Sequence, residues 1–124
     1  MIKNKVIAFD LDDVICKRPS NLENIGIKKY KFCISIKKNI NLINNLFDNG
    51  AIIKIYTARG MSHYKSDINK IKKNLYSLSK GQLKLWNVKY HELIMGKIHY
   101  DLLVDDKALN SHRITNKKII DFID

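Results

Sequence analysis

The sequence predicts an α/β fold, a single domain over residues 1–124 with a mainly parallel sheet and packed helices. Three observations predict it. Short apolar runs of strand length alternate with longer stretches of helical period. The first succession, run–helix–run from Val6 to Tyr56, has the form of a right-handed βαβ unit, whose strands lie parallel and adjacent. Each apolar run also ends in polar or charged residues. Parallel strands end on one edge, so those residues meet where open α/β sheets bind ligands.

The first strand is Val6-Ile7-Ala8-Phe9, and it runs into Asp10-Leu11-Asp12-Asp13. Side chains alternate along a strand, so Asp10 and Asp12 are expected on the same side. Carboxylates this close resist joint ionisation unless a cation lies between them or one keeps its proton. From Ile15 to Ile34 there is no clean period. Pro19 and Gly26 punctuate the stretch, which reads as a basic loop or flap containing a short hairpin. A helix follows, with Ser35 as its expected N-cap and Ile36, Ile40, Ile43 and Phe47 on one face. Gly50 fits the left-handed position after its end.

Ala51–Tyr56 is the second strand, ending at Thr57-Ala58-Arg59-Gly60. Beyond Ser66, residues Ile68, Ile71, Leu75 and Leu78 have helical spacing. Ser79-Lys80-Gly81-Gln82 has the form of a capping box, so a second helix start is expected there. Leu83 and Trp86 face inward from it, and Asn87 can end it. The third strand lies within Val88–Met95, before Gly96-Lys97. Asp101–Val104 is the expected fourth strand, ending in Asp105-Asp106-Lys107. Thr115 caps a closing helix through Ile123.

Composition narrows the partners. With 23 Lys and Arg against 12 Asp and Glu, the formal net charge is +11. The lysines are scattered, and Lys, Ile and Asn make up about two-fifths of the chain, which reads as coding bias. Nucleic acid is therefore not expected as the main partner; the positive charge would draw a phosphorylated small molecule. Five of the twelve acids, Asp10, Asp12, Asp13, Asp105 and Asp106, fall in two clusters that call for a metal ion. No apolar run reaches the roughly 20 residues of a membrane span. Met1–Lys5 leads directly into the first strand, leaving no room for a signal peptide, so a cytoplasmic protein is expected. Cys16 and Cys33 lack metal-ligand spacing and are expected to be ordinary reduced residues.

Four expected strand ends thus deliver Asp10 and Asp12, Thr57, Lys97, and Asp105 with Asp106. In that order, Asp10-Leu11-Asp12, Thr57, Lys97 and Asp105-Asp106 resemble the four motifs of the haloacid dehalogenase-like (HAD) phosphatases, over nearly the whole chain. Asp10–Cys16, Ile55–Gly60, Gln82–Leu93 and Asp105–Ala108 are similar to small capless members of capsule and surface-polysaccharide biosynthesis. Ile98 follows Lys97 where those relatives usually have Pro, and the lysine-rich run from His63 to Ser79 fits their pattern poorly.

This resemblance implies a three-layer Rossmann-like core with the first strand central and no cap domain. It implies that Asp10 attacks phosphorus to give an aspartyl-phosphate, and that Asp12 serves as acid and then base. Thr57 would hydrogen-bond a phosphoryl oxygen and Lys97 would neutralise the phosphate and Asp10. Mg²⁺ is the implied cofactor, held by the Asp10 carboxylate, the Asp12 backbone carbonyl and Asp105, with Asp106 an outer-shell partner or a further ligand. All-oxygen donors suit that ion. The second acid of the first motif argues against a dehalogenase, since no leaving alkoxide needs a proton there.

With no room for a cap, the site is expected to be open to a bulky substrate or closed by a second copy of the chain. Lys17, Arg18 and above all Arg59, two residues past Thr57, are the cations placed to meet a substrate anion; His63, Tyr64 and His91 could contribute. The expected substrate is a sugar phosphate or related intermediate of surface-polysaccharide assembly. A 5′-nucleotidase or nucleic-acid-end phosphatase is the alternative enzyme, and a basic nucleic-acid-binding module the non-enzymatic one.

Overall fold

The computed structural model describes residues 2–123, apart from the side chains of residues 22–24. Strand β1 (Val6–Asp10) is followed by a two-residue strand β2 (Cys16–Lys17), 3₁₀ turns over Ser20–Phe32, and β3 (Ile34–Ser35). Helix α1 (Lys37–Asp48) leads to β4 (Ile52–Thr57). Helix α2 (Ile68–Ile71), a π-helical turn (Lys72–Tyr76) and α3 (Ser77–Leu85) precede β5 (Glu92–Met95) and α4 (Asn116–Ile123).

β1, β4 and β5 form a parallel sheet in the order β1-β4-β5, with Asp10 beside Tyr56 and Thr57 beside Met95. The central strand β4 alternates half-buried and buried residues, with Ile53 and Ile55 fully enclosed. α1 turns Ile40, Ile43 and Leu46 inward, the face its periodicity predicts. Gly50, at φ 96°, takes the left-handed turn after α1, and there Lys3 packs against it at 3.1 Å from where a Cβ would stand. Asn87 ends α3 at φ 56°, and Thr115 Oγ1 accepts from Lys118 N–H to cap α4. The flap is a short hairpin: β2 pairs antiparallel with β3, Cys16 with Ser35 and Lys17 with Ile34.

Several expectations are corrected. β1 is an edge strand and β4 the central one, because the expected fourth strand does not form. Residues 101–110 are exposed and irregular, with Leu102 at 78% and Val104 at 88% exposure. The three apolar residues between Asp101 and Asp105 carry too little apolar surface to favour a strand without a docked neighbour. Ser35 belongs to β3 instead of capping α1, whose N-terminus has no side-chain cap. The capping box at Ser79 is absent too. The helix runs through it from the π turn, because Ser79 and Gln82 are both buried and engaged elsewhere.

Candidate functional site

The chain leaves β1 through a tight turn in which Ile15 and Cys16 donate to the Leu11 carbonyl. Asp13 N–H donates to the Cys16 carbonyl at 2.7 Å, and Asp13 takes φ 70°, a left-handed state that Asp tolerates better than most residues. This turn gives Asp13 the place in the local structure that the sequence did not supply. Asp12, which lies beyond the strand, lines one cavity of 420 Å³ together with Asp10. Between them Leu11 is fully enclosed, so the two carboxylates stand on the same side, as strand alternation predicts.

Asp10 is fixed on both oxygens. Leu11 N–H donates to Oδ1 at 2.8 Å and Lys97 Nζ to Oδ2 at 2.9 Å. Lys97 arrives because its backbone N–H donates to the Thr57 carbonyl, carrying β5's exit past the end of β4. Its ammonium also lies 5.1 Å from the Tyr100 ring and 5.8 Å from that of Tyr56. Burial works against the ammonium, but Tyr100, Asp10 and the Asp10 charge outweigh it and hold Lys97 above the usual lysine value. Thr57 is fully buried, and its Oγ1 accepts from Arg59 N–H at 3.1 Å. Asp10, Thr57 and Lys97 stand at or just past the ends of adjacent strands, but Thr57 is enclosed and lines neither of the two cavities that Asp10 lines.

Arg59 is not placed as expected. It is 1% exposed and points inward. Its Nε donates to Asp12 Oδ2 at 3.0 Å and its Nη2 to Asp12 Oδ1 at 3.1 Å, the two-pronged geometry natural to a guanidinium. Nη1 donates to Ser79 Oγ at 3.0 Å and Gln82 Oε1 at 2.6 Å. Burial alone would lower its pKa, but the Asp12 hydrogen bond and charge carry it above the ordinary value. Arg59 is a buried counter-ion for Asp12, committed within the protein before any substrate arrives.

Two thiols complete this cluster. Cys16 and Cys33 Sγ lie 3.5 and 3.7 Å from Asp12 Oδ1, and each is 3.5 Å from Arg59 Nη2. A hydrogen bond from Cys16 and the nearby guanidinium lower the pKa of Cys33 against the opposing effect of burial; Cys16 is raised by that bond, burial and Asp12. Tyr30 ties the flap down. Its hydroxyl accepts from Gly60 N–H, its carbonyl from Gln82 Nε2, and its ring lies 4.9 Å from the Arg59 guanidinium.

Sequence reasoning missed Ser79, Gln82, Tyr30, Cys33 and His99. The legible signal was Ser79 and Gln82 between Leu75 and Leu83, two polar residues on an apolar helical face. Nothing in the spacing pointed to Tyr30 or His99.

The other expected residues divide. Arg18 and His63 line the 420 Å³ cavity with Lys29, Tyr30 and His99. Tyr64 is half-buried beside His63, their ring centroids 4.7 Å apart. Lys17 is exposed on β2. His91 is structural: its Nδ1 accepts from Ile53 N–H and its ring stacks on Phe47.

The expected metal ligands do not converge. Among the described residues, the ligand group that closes to within 4.8 Å is Asp12, Cys16 and Cys33, not Asp10 with Asp105 and Asp106. Asp105 shares a separate 810 Å³ cavity with Asp10 and Lys97, but it lies on the exposed segment. Its Oδ1 accepts from Lys107 N–H, which helps hold its carboxyl below the usual range. The oxygen donors are of the kind a hard dication takes; their placement does not enclose one.

No protein-family model and no curated protein matches the sequence. A crystal structure of a structural-genomics target from Vibrio cholerae superposes with a TM-score of 0.79, covering 95% of each chain at 22% identity. At that identity the likeness shows the fold: a mixed α/β protein with a small parallel sheet and helices, compatible with a Rossmann-like arrangement. No helix of the described residues is long and apolar enough to cross a membrane.

Proposed function

We propose that the chain is a phosphomonoesterase of the HAD type, with a three-layer Rossmann-like core, acting through an aspartyl-phosphate on Asp10. The observation that carries this reading is the Asp10–Lys97 contact at 2.9 Å, beside the end of β4 that holds Thr57. A carboxylate held by a backbone N–H on one oxygen and an ammonium on the other is pre-oriented, which is what in-line attack on phosphorus requires. The order Asp10-x-Asp12, Thr57, Lys97, Asp105-Asp106 supports it independently.

In this reading an Asp10 oxygen attacks phosphorus, and Lys97 compensates charge on the transferring group. Asp12 exchanges the proton with the leaving oxygen and then with water, which requires one of its oxygens to leave the two-pronged pairing with Arg59. Mg²⁺ remains the proposed cofactor on donor chemistry and would neutralise charge on the transferring group; the steps above are the share that the chain's own residues carry out. The 420 Å³ cavity, edged by Arg18, Lys29, His63 and His99, suits a substrate larger than phosphate itself. A sugar phosphate of surface-polysaccharide assembly is the proposed class, in the cytoplasm, with closure by a second copy part of the same proposal.

The test is phosphate release from a panel of sugar phosphates, nucleotides and small aryl phosphates. Asp10→Asn should lower turnover by ~10³-fold or more, the scale of losing a reacting group, without loss of fold by circular dichroism. Turnover retained in that variant would remove Asp10 as nucleophile, and a preference for nucleotides would move the reading to a 5′-nucleotidase.

A further inference from the structure

From the Asp12–Arg59–Cys16–Cys33 cluster we infer that Cys16 and Cys33 form a reversible disulfide, an oxidative modification site beside the carboxylate of Asp12. The effect on turnover rests on the phosphatase reading above; the bond itself does not.

The geometry carries it. β2 and β3 pair Cys16 with Ser35, and Cys33 lies two residues before Ser35, so both thiols project from the same face of the hairpin. Their sulfurs lie within 4.8 Å of one another and share Asp12 Oδ1 as acceptor. A disulfide needs a separation of about 2.05 Å, so the hairpin must close slightly. Only two residue pairs join its strands, so little strand pairing resists that closure. Cys16 is fully buried while Cys33 is half-buried, so an oxidant reaches Cys33 first.

A bound metal is the competing use of two thiols and a carboxylate, and Arg59 opposes it. Its Nη2 already stands 3.1 Å from Asp12 Oδ1 and 3.5 Å from each sulfur, held in place by Ser79 and Gln82. A cation is built into that position.

The chemistry balances with hydrogen peroxide as oxidant. The Cys33 sulfur attacks one peroxide oxygen, the O–O bond breaks, and a sulfenic acid and water result. The Cys16 sulfur then attacks the Cys33 sulfur, the S–O bond breaks, and the oxygen leaves as a second water with the Cys16 proton. Two thiols are oxidised and one peroxide is reduced. The product removes both S–H donors from Asp12 Oδ1 and pins the start of the flap to its end.

The purified full chain is treated with hydrogen peroxide, alkylated under denaturing conditions and analysed by intact mass and peptide mapping without reductant. The expected result is a monomer short of two hydrogens, closed to alkylation, with the Cys16 and Cys33 peptides joined and released by dithiothreitol. Cys33→Ser and Cys16→Ser should each abolish the cross-link. Two alkylatable thiols after treatment, over-oxidation of Cys33 without a cross-link, or bonds only between molecules would each overturn the proposal. Oxidation should also lower turnover of the best phosphomonoester at least about tenfold in the wild type, restored by dithiothreitol, and leave Cys33→Ser unaffected. Unchanged turnover with the cross-link formed would overturn its control of the site. A reduced protein with no turnover would count against the phosphatase and leave the mass result standing.

Discussion

Arg59 Nε donates to Asp12 Oδ2 at 3.0 Å, joining the loop after β4 to the turn after β1 through an ion pair whose arginine side chain is wholly buried. The pair makes Arg59 part of the interior and gives the flap, through Tyr30 and Gln82, a polar centre to fold around.

Removing one member of a buried ion pair strands the other, at a cost of about 3–5 kcal/mol. Arg59→Met should therefore lower unfolding free energy by about that amount, because Asp12, Ser79 and Gln82 all lose the donor they share. Urea titration checks it. The double variant Asp12→Asn with Arg59→Met should recover part of the loss, and equal instability of single and double variants would show that the pair is not the cause.

Lys97 gives the pH dependence. Its folded-state pKa is raised above the usual 10.5, so the folded state binds the proton more tightly than the unfolded chain. The resulting stabilisation is full below pH 10.5 and disappears as pH rises through the folded value. Melting temperature followed from about pH 8 to about pH 12 should fall more steeply for wild type than for Lys97→Met. Parallel curves would mean that Lys97 carries no such linkage.

Gly60 lies in the loop that presents Arg59, at φ 79°. A Cβ there would stand 2.6 Å from Leu75 Cδ1 and 3.2 Å from Tyr64 Cδ2. Both the backbone and the packing oppose a side chain, so Gly60→Ala should cost about 1–3 kcal/mol. The readout is the denaturation midpoint. Turnover should fall with it, because the same loop carries Arg59 and follows directly on Thr57 at the end of β4; a variant as stable and active as wild type would contradict this packing.

Chelation addresses the metal. With EDTA, phosphate release is expected to drop to background and to return with Mg²⁺. Asp105→Asn should raise the Mg²⁺ concentration needed for half-activation by about tenfold, the scale at which weakened coordination is felt. Activity unaffected by EDTA would remove Mg²⁺ from the proposal.

Much of the framework was legible in the chain. Apolar runs at Val6–Phe9 and Ala51–Tyr56, the periodic face of α1, and the Gly50, Asn87 and Thr115 signals are local features, and local physics decides them. So was the placing of Asp10, Thr57 and Lys97 along one edge of the sheet, because parallel strands end on one edge. Whether Asp101–Val104 pairs was not legible, since a short apolar run forms a strand only when a neighbouring edge accepts it. The role of Arg59 was equally hidden. Spacing placed it two residues past Thr57, but the direction of its side chain depends on Asp12, Ser79 and Gln82, which lie far away in sequence. A buried charge goes where its partners converge, and that convergence exists only once the flap, the turn after β1 and helix α3 have packed together.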